Sequence, residues 1–406
     1  MTTKLSIEAR PHYPAVPVTE LEQSAFCQTG ELRAEPLEEE FKAGVQWQRL
    51  PIRYMRMSPE NLDTGIAAAR ARLGARLVVL GHHYQRDEII KFADLRGDSF
   101  KLSRYAATQQ EAEFIMFCGV HFMAETAAIL AGSHQRVLLP NITAGCSMSD
   151  MAPADDVEDC WDDLNATLGH GGVLPVTYMN SAAAVKALCG RNGGIVCTSS
   201  NARAVMEWSF DRAERVLFLP DQHLGRNTAL AMGIGLDQMV VWNPSKPLGG
   251  NTPEALRHAK VVLWKGHCSV HTRFTVDQVR RAREDYPGIN ILVHPECTME
   301  VVQEADHVGS TEYITRMIHE STPGSAWGVG TEVSLVNRLA REHPDRTVFS
   351  LDPIVCPCST MYRIHPAYLL WVMDALLEGQ VVNQITVAPE TTLQARVALE
   401  RMLSVA

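Results

Sequence analysis

Leu77-Val78-Val79-Leu80-Gly81-His82-His83-Tyr84 is a short apolar run that passes through a glycine into a polar turn. A helix-like pattern follows, and the same alternation of strand, turn and helix continues down the chain. That is the signature of parallel α/β architecture. Upstream, residues 1 to about 60 read differently, with Pro11, Pro14 and Pro17 and then the acidic stretch Glu35-Pro36-Leu37-Glu38-Glu39-Glu40. They are expected to form an irregular or helical extension.

From Leu77 the units fall into three groups, each closing on a strand that delivers a cysteine. The first group opens at Leu77, passes Gly97-Asp98-Ser99 and Phe114-Ile115-Met116-Phe117-Cys118, and ends at Cys146. The second opens with Val173-Leu174-Pro175-Val176-Thr177-Tyr178, passes Ile195-Val196-Cys197 and Val216-Leu217-Phe218-Leu219, and ends at Cys268. The third opens with Ile291-Leu292-Val293-His294-Pro295-Glu296, passes Trp327-Gly328-Val329-Gly330, and ends at Cys358. The spacing is 122 residues from Cys146 to Cys268 and 90 from Cys268 to Cys358, so the middle group carries insertions. Ligands bind at the carboxyl ends of strands in open α/β sheets. The expected fold is therefore three similar parallel-sheet α/β domains, arranged with pseudo-threefold symmetry about a shared centre. The expected division is an extension over 1–70, domains over 71–165, 166–282 and 283–362, and C-terminal helices over 363–406. In the last segment Pro366 and Gly379 bracket one helix, and a second runs from about Pro389 to Leu403.

Composition narrows the function. The 406 residues hold 37 Lys and Arg against 47 Asp and Glu, a net charge of −10 that argues against a nucleic-acid groove. With 46% hydrophobic and 21% charged residues the chain reads as a compact soluble protein. It has no apolar run near the ~18 residues of a membrane span and no signal-peptide profile at Met1-Thr2-Thr3-Lys4, so a cytoplasmic location is expected. Ten cysteines are too dilute for a disulfide scaffold.

The three cysteines that end equivalent strands suggest a metal site with a vacancy. A structural zinc takes four closed ligands, often from C-x-x-C pairs, and none occurs here. An iron-sulfur cube on three thiolates instead leaves one iron open as a Lewis acid. The opening turns supply His82 and Tyr84, Tyr178 and Asn180, and His294 and Glu296, groups suited to acid-base chemistry. Strand-end alternation turns His294 and Glu296 to one side, where the carboxylate would raise the basicity of the imidazole. Hydroxyls in Gly97-Asp98-Ser99, Thr198-Ser199-Ser200-Asn201 and Gly309-Ser310-Thr311 stand at helix starts, as plain caps or as anchors for phosphate or carboxylate. Cys27, Cys118, Cys160, Cys189 and Cys197 read as structural, whereas Cys297 and Cys356 lie close to the expected centre without an assigned part.

These segments resemble the quinolinate synthase family. The resemblance runs over about residues 75 to 365 and rests on Gly81-His82-His83-Tyr84-Gln85, Val120-His121-Phe122-Met123-Ala124-Glu125, Pro220-Asp221-Gln222-His223-Leu224-Gly225, Cys268-Ser269-Val270-His271, His294-Pro295-Glu296-Cys297 and Cys356-Pro357-Cys358, besides the turns above. It implies condensation of iminosuccinate (iminoaspartate) with dihydroxyacetone phosphate to quinolinate in de novo NAD biosynthesis, with loss of phosphate and two waters. It also implies a 4Fe-4S cluster on Cys146, Cys268 and Cys358, the last matching the family's Cys-x-x-Met turn through Cys358-Ser359-Thr360-Met361. Carried over in the same way, substrate contacts fall on His82, Ser99, Tyr178, Asn180, Ser199, His271, His294, Glu296 and Thr311, and the catalytic proton transfers on Tyr84, His294 and Glu296. Coupling to an aspartate-oxidising enzyme that supplies iminosuccinate would follow, with no nucleic-acid or membrane partner. Two other readings of the residues stay open: a zinc-dependent lyase or hydrolase of an anionic metabolite using Cys268, His271 and His294, and a non-catalytic iron-sulfur redox sensor.

Overall fold

The computed structural model describes residues 48–109 and 111–405. Most of the expected N-terminal extension, with Cys27, lies outside the described residues. Its end is helical: Ser58 accepts a hydrogen bond from Asn61 N and starts the helix Pro59–Leu73.

Three all-parallel sheets follow. The first contains β1 (Leu77–His82), β2 (Leu95–Gly97), β3 (Phe114–Cys118) and β4 (Arg136–Leu138), in the order β2-β1-β3-β4. The second contains β5 (Leu174–Tyr178), β6 (Ile195–Cys197), β7 (Val216–Leu219), β8 (Met239–Trp242) and β9 (Val261–Trp264), in the order β6-β5-β7-β9-β8. The third contains β10 (Asn290–Val293), β11 (His307–Val308), β12 (Ala326–Gly330) and β13 (Thr347–Ser350), in the order β11-β10-β12-β13. The repeat read in the sequence is thus one strand order used three times. The middle sheet adds β8 at its edge, paired to β9, and this strand with the helix Pro253–His258 lies in the longer interval before Cys268.

The strands are apolar runs because both faces of a parallel sheet are covered by helices. Phe114–Cys118, Val216–Leu219 and Val261–Trp264 are buried throughout. The two C-terminal helices close the molecule. Pro366–Leu377 packs on the helix Pro59–Leu73, and Pro389–Ser404 packs on the helix Ala183–Arg191. The second contact is so close that a Cβ on Gly190 would stand 1.8 Å from the Gln394 carbonyl oxygen.

Candidate active site

The carboxyl ends of strands from all three sheets line one cavity, and corresponding strands supply corresponding groups. The turns after β1, β5 and β10 contribute His82 and Tyr84, Tyr178 and Asn180, and His294 and Glu296. Those after β2, β6 and β11 contribute Ser99, Ser199 and Thr311. The loops after β4, β9 and β13 contribute Cys146, Cys268 and Cys358, with His271 three residues past its cysteine. All thirteen residues expected from the sequence to form a site therefore reach the same cavity. Local bonds repeat as well: Tyr84 N donates to His82 Nδ1 at 3.1 Å, and Glu296 N donates to His294 Nδ1 at 3.4 Å.

The hydroxyl turns divide their labour between neighbours. Asp98 caps the helix Ser99–Thr108 by accepting from Lys101 N, and Ser310 caps the helix Thr311–Glu320 by accepting from Tyr313 N. Ser99 and Thr311, one position further on, are released to face the cavity beside the unpaired N–H groups of the helix start. Thr311 Oγ1 and Asn180 Oδ1 are buried and make no hydrogen bond within the protein. Buried polar atoms are ordinarily paired, so these two oxygens beside the cavity could accept from a polar group that enters it.

A hydrogen-bonded chain crosses the cavity. The Tyr84 hydroxyl lies 3.2 Å from His271 Nε2 and 2.7 Å from Thr331 Oγ1, and His271 Nδ1 lies 2.7 Å from Glu296 Oε2. The imidazole paired to Glu296 is therefore that of His271, from the second sheet. His294 Nδ1 stands 3.9 Å from the same carboxylate, and its ring stacks on His271 with centroids 4.5 Å apart. Glu296 does pull His294 upward as expected, but burial, reinforced by His271, outweighs it and takes His294 down to about 3. Burial, with His83 beside it, also lowers His82 to about 3. Both imidazoles are neutral near pH 7. Burial and the Glu296 charge push Tyr84 well above the usual phenol range, so it carries its proton. Burial alone would raise Glu296, but the adjacent His271 and His294 hold it below the usual carboxylate range.

Each of the three cysteines opens a short helical turn. The carbonyls of Cys146, Cys268 and Cys358 accept from the residues four along, Asp150, Thr272 and Tyr362, at 3.0, 3.1 and 2.9 Å. Burial raises all three thiols, Cys146 to about 12, while the backbone N–H groups of Ser149, His271 and Met361, each three residues on, pull them back. Three half-buried cysteines lining one cavity, each at the amino end of a helical turn, suit a metal group that displaces the thiol protons to solvent and leaves the sulfurs to accept N–H hydrogen bonds. Cys118, Cys160, Cys189, Cys197 and Cys297 are buried, and Cys356 is exposed.

The sequence reading missed Thr331. It stands in the turn after β12, where it bonds both Tyr84 and His271 while only 1% exposed. Its signal was its place: a hydroxyl just past the carboxyl end of a parallel strand, where ligands bind in open α/β sheets.

Parallel α/β sheets that bring three thiols, neutral imidazoles and a charged carboxylate to one cavity define an enzyme acting on a small polar molecule. The family model described as NadA, quinolinate synthetase A protein, matches residues 65–404. The quinolinate synthase of Corynebacterium glutamicum is 58% identical over 358 residues, covering 88% of this chain and 91% of that protein. Those of Acidobacterium capsulatum and Geobacillus thermodenitrificans are 57% and 51% identical, covering 87% and 91% of this chain and 95% and 99% of their own lengths. The chain belongs to the quinolinate synthase family. Among the described residues no helix is long and apolar enough to cross a membrane.

Proposed function

We propose that this enzyme condenses iminosuccinate with dihydroxyacetone phosphate to give quinolinate, phosphate and two waters, the quinolinate-forming step of NAD biosynthesis. The observation that carries the reading is the convergence of three thiols, one from each sheet, on the cavity that holds the Tyr84–His271–Glu296 chain. Cys146, Cys268 and Cys358 would hold a 4Fe-4S cluster. When bound, that group supplies an open iron able to polarise a substrate oxygen or nitrogen and ease the loss of hydroxide as water.

The protein's own groups divide the remaining work. Ser99, Ser199 and Thr311 anchor carboxylate or phosphate oxygens next to helix N-termini, where the dipole favours negative charge. Asn180 and Tyr178 orient the substrate from the second sheet, and His82 and His294, as neutral imidazoles, exchange hydrogen bonds with it without adding charge. Tyr84 gives or takes a proton at its hydroxyl. His271 relays the proton from its Nε2, with Glu296 on Nδ1 stabilising the imidazolium as it forms. Such a reaction fits a cytoplasmic enzyme fed by an aspartate-oxidising one, since an imine hydrolyses readily in water.

A zinc-dependent reading has one observation in its favour: ligand atoms of Cys268, His271 and Glu296 lie within 4.8 Å of one another. Against it, His271 already bonds Glu296 through one nitrogen and Tyr84 and Thr331 through the other. Anaerobic purification with iron, sulfide and zinc quantitation, joined to an assay of quinolinate formation, separates the readings. Iron and sulfide in the wild type, lost in Cys146→Ala, Cys268→Ala and Cys358→Ala, is the expected result. Stoichiometric zinc without sulfide would overturn it, and a cluster without quinolinate formation would favour a redox sensor.

A further inference from the structure

Asp221 and Glu332 hold the same place in two sheets, each two residues past the end of its strand, β7 or β12. Both are buried, and both cap the helix that follows. Asp221 Oδ1 accepts from His223 N and Leu224 N, each at 2.7 Å, and Glu332 Oε2 accepts from Ser334 N at 2.7 Å and Leu335 N at 3.4 Å. One carboxylate oxygen is enough for a cap. The other oxygen of Glu332, Oε1, accepts from the backbone N–H of Cys358 at 3.2 Å and from Ser334 Oγ at 3.1 Å.

The first two cysteine loops are tied by backbone instead. His121 N donates to Ala144 O at 2.8 Å, and Gln222 N donates to Gly266 O at 3.0 Å, each joining the residue after a helix cap to the residue two before a cysteine. The corresponding residues of the third sheet are Val333 and Cys356, and here the Glu332 side chain reaches past them to Cys358 itself. The loop it grips is the more exposed one, with Ile354 64% and Val355 75% accessible.

We infer that Glu332 is a positioning residue that holds Cys358 in place for metal binding together with Cys146 and Cys268, a duty separable from its helix cap. The inference rests on the reading of these three cysteines as ligands. Glu332→Asp keeps a carboxylate that caps the helix but shortens the reach to Cys358. Each full-length variant is prepared anaerobically. Iron and sulfide per chain, the cluster absorbance and the rate of iron loss to a chelator are measured. The rate of Cys358 alkylation in the metal-free protein is followed by peptide mass spectrometry in a Cys356→Ser background.

Glu332→Asp should keep the wild-type melting midpoint, lose iron about 10-fold faster, the scale of an outer-shell ligand support, and expose Cys358 to faster alkylation. Unchanged iron loss and alkylation in Glu332→Asp would overturn the inference. If Glu332→Asp does not fold, amide hydrogen exchange at Cys358 in the metal-free wild type decides: protection of that N–H supports the inference, and exchange at the rate of an open peptide overturns it. A wild type without iron or sulfide would sink the cluster reading instead, and the alkylation arm would then judge Glu332 alone.

Discussion

Tyr84 shows how much a single side chain gains from its setting. Its hydroxyl is shared between Thr331 and His271, and burial keeps it protonated. Tyr84→Phe should therefore keep the wild-type iron and sulfide content while turnover falls about 100-fold or more, the scale of a lost proton-transfer group. A variant with full turnover would remove Tyr84 from the chemistry. His82 and His294 make a different prediction. Their folded pKa values near 3 lie below the usual 6.5, so between those limits the unfolded chain binds protons that the folded chain does not. Stability is then complete above pH 6.5 and falls as the pH drops, by up to about 1.4 kcal/mol per unit for each imidazole. Urea titrations from pH 7.5 to 4.5 should show this slope, and His82→Gln should reduce it. At this scale the site was largely legible, because ionisable residues in strand-end turns stand out against apolar runs. The partner of Glu296 was not. His271 lies 25 positions away in sequence and in another sheet, whereas His294 is two away and drew the eye.

Among the elements, the starts of the helices Ser99–Thr108 and Thr311–Glu320 resolve an ambiguity that residue types leave open. Capping and ligand anchoring read as compatible uses of these turns, and in the fold the caps are made by Asp98 and Ser310, which leaves Ser99 and Thr311 facing the cavity. Because Thr311 Oγ1 bonds nothing in the protein, Thr311→Val should leave the melting midpoint unchanged while weakening substrate binding about 10-fold, as for a lost hydrogen bond to a charged group. A parallel loss of stability would show that the hydroxyl serves the fold. Where the helices Ala183–Arg191 and Pro389–Ser404 touch, glycine is required by space alone. Gly190→Ala would drive a methyl into the Gln394 carbonyl and should cost about 1–3 kcal/mol, read by chemical denaturation. The helix Pro389–Ser404 was visible in the sequence from its opening proline, but its partner was not, since a packing face does not name what it meets.

Across the whole molecule, the order of parts was readable because one strand arrangement is written three times, and β8 was not because it interrupts that repeat. Contacts that join the thirds have no local signature. Arg338, in the helix Val333–Glu342 of the third sheet, is buried and donates to Gln85 O and Asp87 Oδ1 at 3.0 Å, and to His83 O, all in the turn after β1. Arg338→Met would strand those carbonyls and should lower stability by about 3 kcal/mol, with Arg338→Lys recovering only part of it. A calorimetric scan in which Arg338→Met melts like the wild type would show that the clasp contributes little. Arg273, just past Cys268, grips Asp352 ahead of Cys358 in the same spirit, Nε to Oδ2 at 2.9 Å.

The three sulfurs are spread along the polypeptide at positions 146, 268 and 358. If these are its ligands, a ribosome must deliver all three sheets before an inorganic guest could find its last point of attachment. On the proposed reading, loading would follow synthesis of the third sheet, and a product terminated ahead of Cys358 would offer two of the three sulfurs.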